Sequence, residues 1–174
     1  DWTDRSTCVL FGDGAGAVVL GEGEALRAIR LTAQGNAQPL CAAHQAGNCP
    51  FAPEDHPGSF LQMDGGEVYK FAVSSMVRDV QDVVAEAGLS MEEIGHVVPH
   101  QANLRIIEAA ARRLHLPMER CLVGIGDMGN ISAACIPILL DRVNRAGTLV
   151  PGEWLVLTAF GAGFTSGACV LRWE

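Results

Sequence analysis

The chain has 174 residues, 49% of them hydrophobic, enough for one domain with a sizeable core. Its formal net charge of −8 speaks against nucleic acid or an anionic membrane as a partner, since either demands a surplus of Lys and Arg on one face. No apolar run comes near the roughly 20 residues that span a bilayer, and the opening Asp-Trp-Thr-Asp-Arg-Ser-Thr lacks the basic start and apolar stretch of a secretory signal. Six scattered cysteines (Cys8, Cys41, Cys49, Cys121, Cys135, Cys169), four of them inside apolar runs, suit buried thiols in a reducing, cytoplasmic setting rather than disulfides.

Gly12-Asp13-Gly14-Ala15-Gly16 has the look of a phosphate loop, but a dinucleotide fingerprint places its glycines after a strand and before a helix. Here they precede an aliphatic run, so a tight turn feeding a core strand is expected instead. Gly14 to Gly21 and Ala28 to Ala33 predict two paired strands. Gly35 to Ser59 carries four prolines and three glycines without periodicity, which predicts an excursion loop over about residues 35–62. Within it, Cys41, His44, Cys49 and His56 match no common zinc-finger spacing, and no metal is expected.

From Gly66 to Ala87, apolar residues recur at three- and four-residue steps through Val68, Ala72, Met76, Val80, Val83, Val84 and Ala87, predicting the strongest helix of the chain, with Gly88 as its stop. Ser90 with Glu93 is a capping-box pattern that opens a short turn of helix. His96 to Pro99 reads as a brief buried strand. Helices follow at about Ala102 to Leu114 and Ser132 to Arg145, the latter closed by Gly147. Trp154 to Ala159 and Ala168 to Trp173 are strands joined through Gly161-Ala162-Gly163. Strand pair, helices alternating with strands and a final strand pair imply a layered α/β domain with a mixed sheet, not a pure Rossmann fold. Asn130-Ile131-Ser132 fits the glycosylation pattern but has no secretory context.

Two polar residues stand out: His100 in Val-Val-Pro-His-Gln-Ala-Asn-Leu-Arg-Ile and Asn130 in Gly-Asn-Ile-Ser-Ala-Ala. Each lies where an apolar run gives way to a helix-forming run. A neutral imidazole and an amide held over a pocket both donate hydrogen bonds, and so suit the stabilisation of a developing thioester enolate. The helix just beyond His100 points its positive end at the ring and favours the neutral form. His44, His56, His96 and His115 are read as structural. On the residues alone, a structural and a catalytic reading of His100 stand level.

These motifs, together with Asp4 to Ala17, Met63 to Val73, Pro99 to Ile106, Gly129 to Ala134 and Ala159-Phe160-Gly161, resemble the 3-oxoacyl-(acyl-carrier-protein) synthase III group of the thiolase-like condensing enzymes. The resemblance covers that group's C-terminal half, so residues 1–174 are expected to form one domain: a five-stranded mixed sheet with flanking helices. It implies that His100 and Asn130 hydrogen-bond the malonyl thioester carbonyl during decarboxylation. It implies that Met63, Gly65, Tyr69, Asn103 and Phe160 line the tunnel for the pantetheine arm or acyl chain, Tyr69 standing where phenylalanine is more usual. Arg105 matches an arginine of carrier-protein docking. Arg112 and Arg113, seven and eight residues further on, would extend that patch, although an ordinary solvated face explains them equally well.

The family usually has three consecutive glycines where this chain has Gly161-Ala162-Gly163. The middle amide belongs to the oxyanion hole, and alanine keeps the N–H but disfavours positive φ. Ser166 stands where tryptophan is common. The nucleophilic cysteine belongs to the absent N-terminal half; Cys135 and Cys8 are read as packing residues. The partners implied are acyl carrier protein, acyl-CoA, that N-terminal half and a second copy in a homodimer. No cofactor is implied beyond the CoA and carrier-protein thioesters, which are substrates. Two other readings are an acyltransferase of the same fold in secondary metabolism that joins the acyl group to an alcohol or amine, and a non-catalytic carrier-binding subunit.

Overall fold

The structure, a computed structural model, describes residues 1–42 and 60–174. In chain order the elements are β1 (Leu26–Asn36), β2 (Leu40–Ala42), β3 (Leu61–Met63), α1 (Gly65–Glu86), β4 (Ile94–Pro99), α2 (Leu104–Arg113), α3 (Ile125–Met128), α4 (Cys135–Arg145), β5 (Trp154–Gly161) and β6 (Gly163–Arg172), with single 3-10 turns at Met118–Arg120 and Ser132–Ala134.

Alternation along the strands builds the layers. The main sheet runs β1-β6-β5-β4, parallel only between β4 and β5. Val97, Val156, Ala168 and Val170 face one side and meet Val80, Val83 and Val84 of α1 and Ile107 and Ala111 of α2. Val98, Leu155 and Leu157 face the other side and meet Leu139 and its neighbours on α4. α1 begins at Asp64, whose Oδ1 accepts from the Gly66 and Glu67 amides at 3.0 Å each. It ends where Gly88 turns to φ 72° and the Leu89 amide reaches back to the Val84 carbonyl.

The α/β class and mixed sheet match the sequence expectation, while the strand count differs. The described main sheet has four strands, and the fifth row is reduced to a single parallel bridge between Val97 and Cys121. Gly14 to Gly21 is not a strand: no described segment pairs with it, and an aliphatic run without a neighbour leaves its backbone to water. Val18, Val19 and Leu20 are accordingly exposed. Nor do the preceding glycines make a tight turn. They form an extended track whose alternate members lie against the 128–137 segment.

Part of the expected excursion loop is ordered pairing: Leu40↔Met63, Cys41↔Gln62 and Ala42↔Leu61 make a two-stranded ribbon, because its leucines close over a cavity. His44, Cys49 and His56 lie outside the described residues, and Cys41 is half-buried on β2. Glu93 does reach the Ser90 amide, at 2.8 Å, but the segment closes as a turn rather than a helix, since β4 begins at Ile94. Among the described residues no helix is long and apolar enough to cross a membrane.

The glycine track makes a specific demand. A Cβ on Gly12 would strike the Met128 carbonyl, a backbone atom with no rotamer to yield, whereas nothing lies within 4 Å of a Cβ on Gly21. Gly12→Ala is therefore expected to cost about 1–3 kcal/mol in urea unfolding, and Gly21→Ala to leave the midpoint in place. Equal midpoints for the two variants would show that the track does not pack as described.

Candidate active site

His100 follows the last residue of β4, and its backbone amide donates to the Thr158 carbonyl at 2.8 Å, so the sheet hydrogen-bonding continues into the site residue itself. Its ring stands edge-on to Phe160, centroids 5.3 Å apart at 71°. Nδ1 lies 2.9 Å from the Cys135 Sγ. Burial pushes the imidazole pKa down to about 4. Desolvation thus favours the neutral ring.

Next to it, Gln101 is wholly buried and fully used. Its amide nitrogen donates to the carbonyls of Pro99 (2.7 Å) and Leu122 (3.2 Å), and its Oε1 accepts from the Gly124 amide (2.9 Å).

Asn130 is placed by a different device. Its amide donates to the Leu10 carbonyl at 2.9 Å and its carbonyl accepts from the Gly12 amide at 3.0 Å, so a two-bond backbone bridge clamps the loop to the glycine track. Gly129 at φ 66° and Ser132 at φ 55° bend the chain on either side. A serine in the left-handed region is uncommon and marks a conformation imposed by its surroundings. The Asn130 Oδ1 accepts from the Ser132 amide at 3.0 Å. Since a backbone N–H can only donate, this bond settles the amide orientation and leaves the Nδ2 hydrogens without a partner among the described residues.

A cavity of about 440 Å³ joins these residues. Its lining includes His100, Asn130, Asn103, Met63, Gly65, Tyr69, Phe160 and Ala162, so every catalytic, oxyanion and tunnel residue singled out from the sequence meets there. Asn103 caps α2, its Oδ1 accepting from the Arg105 amide at 2.9 Å, and again the amide nitrogen is left over. Alanine at position 162 meets no conformational penalty: among the described residues the non-glycine positions at positive φ are His115 and Ser132, and the positive-φ turn falls on Gly163 at φ 125°. Arg105, Arg112 and Arg113 lie outside the cavity, exposed on α2.

The structure adds residues that the sequence reading passed over. Leu10, Phe11 and Ser132 line the cavity, and Cys135 is no mere packing residue, because its sulfur touches His100 and accepts from the Gln101 amide at 3.3 Å. The one sequence signal for Cys135 is its position five residues after Asn130, at the helix start. Ser166 joins a polar cluster, 2.7 Å from the Thr32 hydroxyl and 3.2 Å from an Arg78 nitrogen.

Family comparison then locates this geometry among known proteins. The model for the 3-oxoacyl-[acyl-carrier-protein (ACP)] synthase III C-terminal domain matches residues 84–173, and that for 3-oxoacyl-[acyl-carrier-protein (ACP)] synthase III matches residues 1–36. The chain belongs to the 3-oxoacyl-[acyl-carrier-protein] synthase III family. It is 45% identical over 175 residues to the beta-ketoacyl-[acyl-carrier-protein] synthase III of Alkalilimnicola ehrlichii, covering 99% of this chain and 54% of the relative. Among solved structures it is similar to the 3-oxoacyl-(acyl carrier protein) synthase III of Pseudomonas aeruginosa PAO1, with a TM-score of 0.89 and 41% identity over 100% of this chain and 54% of that one. The Aquifex aeolicus VF5 enzyme of the same name gives a TM-score of 0.87 and 42% identity over 99% and 53%. The chain spans about half the length of these family members.

The buried His100 makes the fold sensitive to acid. The unfolded chain binds a proton at the ordinary histidine pKa of 6.5 while the native ring resists to about 4. Between those values the unfolded state holds more protons, so stability falls as pH drops and is unaffected by this group above the window. The full effect is about 3 kcal/mol by pH 4. An NMR titration should find the His100 ring still neutral at pH 5, and His100→Gln should flatten the acid limb of the stability profile. A His100 midpoint near 6.5 would contradict the burial.

Proposed function

We propose that this chain is the C-terminal catalytic half of a condensing enzyme that joins an acyl group from acyl-CoA to the malonyl group of a carrier protein, releasing carbon dioxide and CoA. The observation that carries this reading is the matched state of His100 and Asn130. Both line one cavity, and each has one polar atom of its side chain held by a neighbour, His100 Nδ1 by the Cys135 sulfur and Asn130 Oδ1 by the Ser132 amide. A site that presents N–H groups suits a ligand that presents a carbonyl oxygen.

In this reading the thioester carbonyl of the malonyl group accepts from His100 and from the Nδ2 of Asn130. When the bond to the carboxylate breaks, its electron pair moves into the thioester and builds an enolate oxygen, the charge that these two donors stabilise. A neutral imidazole serves better than a charged one, because it holds the oxygen without protonating the carbanion equivalent. The enolate carbon then attacks the acyl thioester that acyl-CoA has formed on a cysteine of the amino-terminal half, the Ala162 amide receives the oxyanion of the tetrahedral intermediate, and its collapse breaks the C–S bond and expels the cysteine thiolate.

Met63, Gly65, Tyr69, Asn103 and Phe160 hold the pantetheine arm, and Arg105, Arg112 and Arg113 receive an acidic carrier protein. No cofactor enters beyond the thioesters themselves. The amino-terminal half would seat against the aliphatic surface exposed here at Val19, Leu20, Ile29 and Leu31, and the assembled enzyme would pair as a cytoplasmic homodimer.

Two tests separate the parts of this reading. With the chain joined to its amino-terminal half, His100→Ala and Asn130→Ala should each slow carbon dioxide release from a malonyl-carrier thioester by about 10²-fold or more. Parental rates in both variants would remove them from the chemistry. The chain by itself should gain no acyl mass when incubated with acetyl-CoA, as read by intact mass spectrometry. Its buried Cys135 lies outside the cavity lining, and stoichiometric acylation would overturn the assignment of the nucleophile to the other half.

A further inference from the structure

The donor role proposed for His100 requires a particular tautomer, and the buried thiol beside it supplies a reason for one. Cys135 is wholly buried at the first residue of α4. Its sulfur meets the Gln101 amide at 3.3 Å and the His100 Nδ1 at 2.9 Å, and the helix-start backbone N–H of Ile136 is also directed at it. The first can only donate, so it takes a lone pair of the sulfur. The second either accepts from the thiol or donates to it.

Counting hydrogens separates the two. If Nδ1 carried the proton, the sulfur would only accept, and the thiol hydrogen would be left beside apolar Ile131 and Ala134 with no acceptor among the described residues. If Nδ1 is bare, the thiol donates to it, the sulfur accepts from Gln101, and all three groups are satisfied. Burial also holds the Cys135 thiol pKa above its ordinary value, which keeps the hydrogen on sulfur. Because Nδ1 is directed at a residue outside the cavity lining, Nε2 is the ring nitrogen left for the cavity.

We propose that Cys135 is a positioning residue that fixes His100 in the Nε2–H tautomer, its thiol donating to Nδ1, so that the nitrogen available to the cavity is always a donor. This rests on the reading of His100 as a hydrogen-bond donor to substrate, and it deepens that reading by naming what prepares the donor. Such outer partners commonly decide which imidazole nitrogen acts. No proton is gained or lost in the role. The thiol orients the ring and touches no substrate.

The test reads the tautomer directly, without substrate. In the 15N-histidine-labelled chain at neutral pH, a long-range 1H–15N correlation spectrum reports which ring nitrogen is protonated; the His100 signals are assigned by their loss in His100→Gln. The parent should show a bare Nδ1 and a protonated Nε2. Cys135→Ala should raise the Nδ1-protonated share about fivefold, the change expected on losing one hydrogen bond of ordinary strength.

Cys135→Ser, which keeps a donor at the same place, should restore the parental pattern. A protonated Nδ1 in the parent would overturn the proposal, as would an alanine variant indistinguishable from the parent. If the alanine variant does not fold, the parent and serine spectra decide by themselves. Loss of the donor tautomer with intact decarboxylation would sink the functional reading instead, so the two failures are told apart.

Discussion

The site hangs on one buried side-chain amide. Gln101 spends its carboxamide on three backbone groups, two carbonyls and one N–H, drawn from the end of β4 and from the 122–124 segment that runs beside it. A wholly buried amide is costly unless all its partners are present. The loop that carries His100 therefore has few alternatives: any displacement of the strand end orphans several groups at once. The same residue offers its backbone N–H to the Cys135 sulfur, which ties the sheet to α4 beside His100. Rigidity at His100 is thus a matter of hydrogen-bond accounting, with the hydrophobic layers supplying the frame around it.

His100 and Asn103 share the short connection from β4 to α2 and Asn130 lies on a distant loop, yet each is treated alike. A neighbouring group engages one polar atom of each side chain, and each of the three lines the cavity. This gives the cavity a polarity without a formal charge. Dipoles fixed by the fold need no reorientation when charge develops on a ligand, and this is where preorganised sites outperform water. The aliphatic lining from Leu40, Leu61, Val68 and Ile106 lowers the local dielectric and strengthens those dipoles further.

Much of this was legible in the chain itself, for reasons that differ by element. The long helix after Asp64 shows in the sequence because one face alone is buried, so its apolar period is clean. β5 and β6 show because aliphatic runs flank a glycine turn. The run Val18-Val19-Leu20 misled for the same reason that the others succeeded: strand-like composition is blind to whether a neighbouring strand exists. α3 and the 3-10 turns are too short to carry a period. The cavity set came through resemblance to a family, while the residues alone left His100 level between two roles. Cys135 was passed over because a thiol in an apolar helix looks like filler, and only three-dimensional proximity shows that its sulfur faces an imidazole.

The glycine track and the β1–β6 pairing also say when the site can come into being. Asn130 is clamped by Leu10 and Gly12, and Thr32 meets Ser166 across 134 residues of chain. Both closures join segments that leave the ribosome far apart in time, and contacts of such separation form late because a long loop must first be closed. During synthesis the aliphatic stretch behind the glycines emerges before all six strands described here and has none of them to pair with. Chaperone capture in that interval is the natural risk for such a topology, and the cavity is walled only once the loop at Asn130 has met the chain at Leu10 and Phe11.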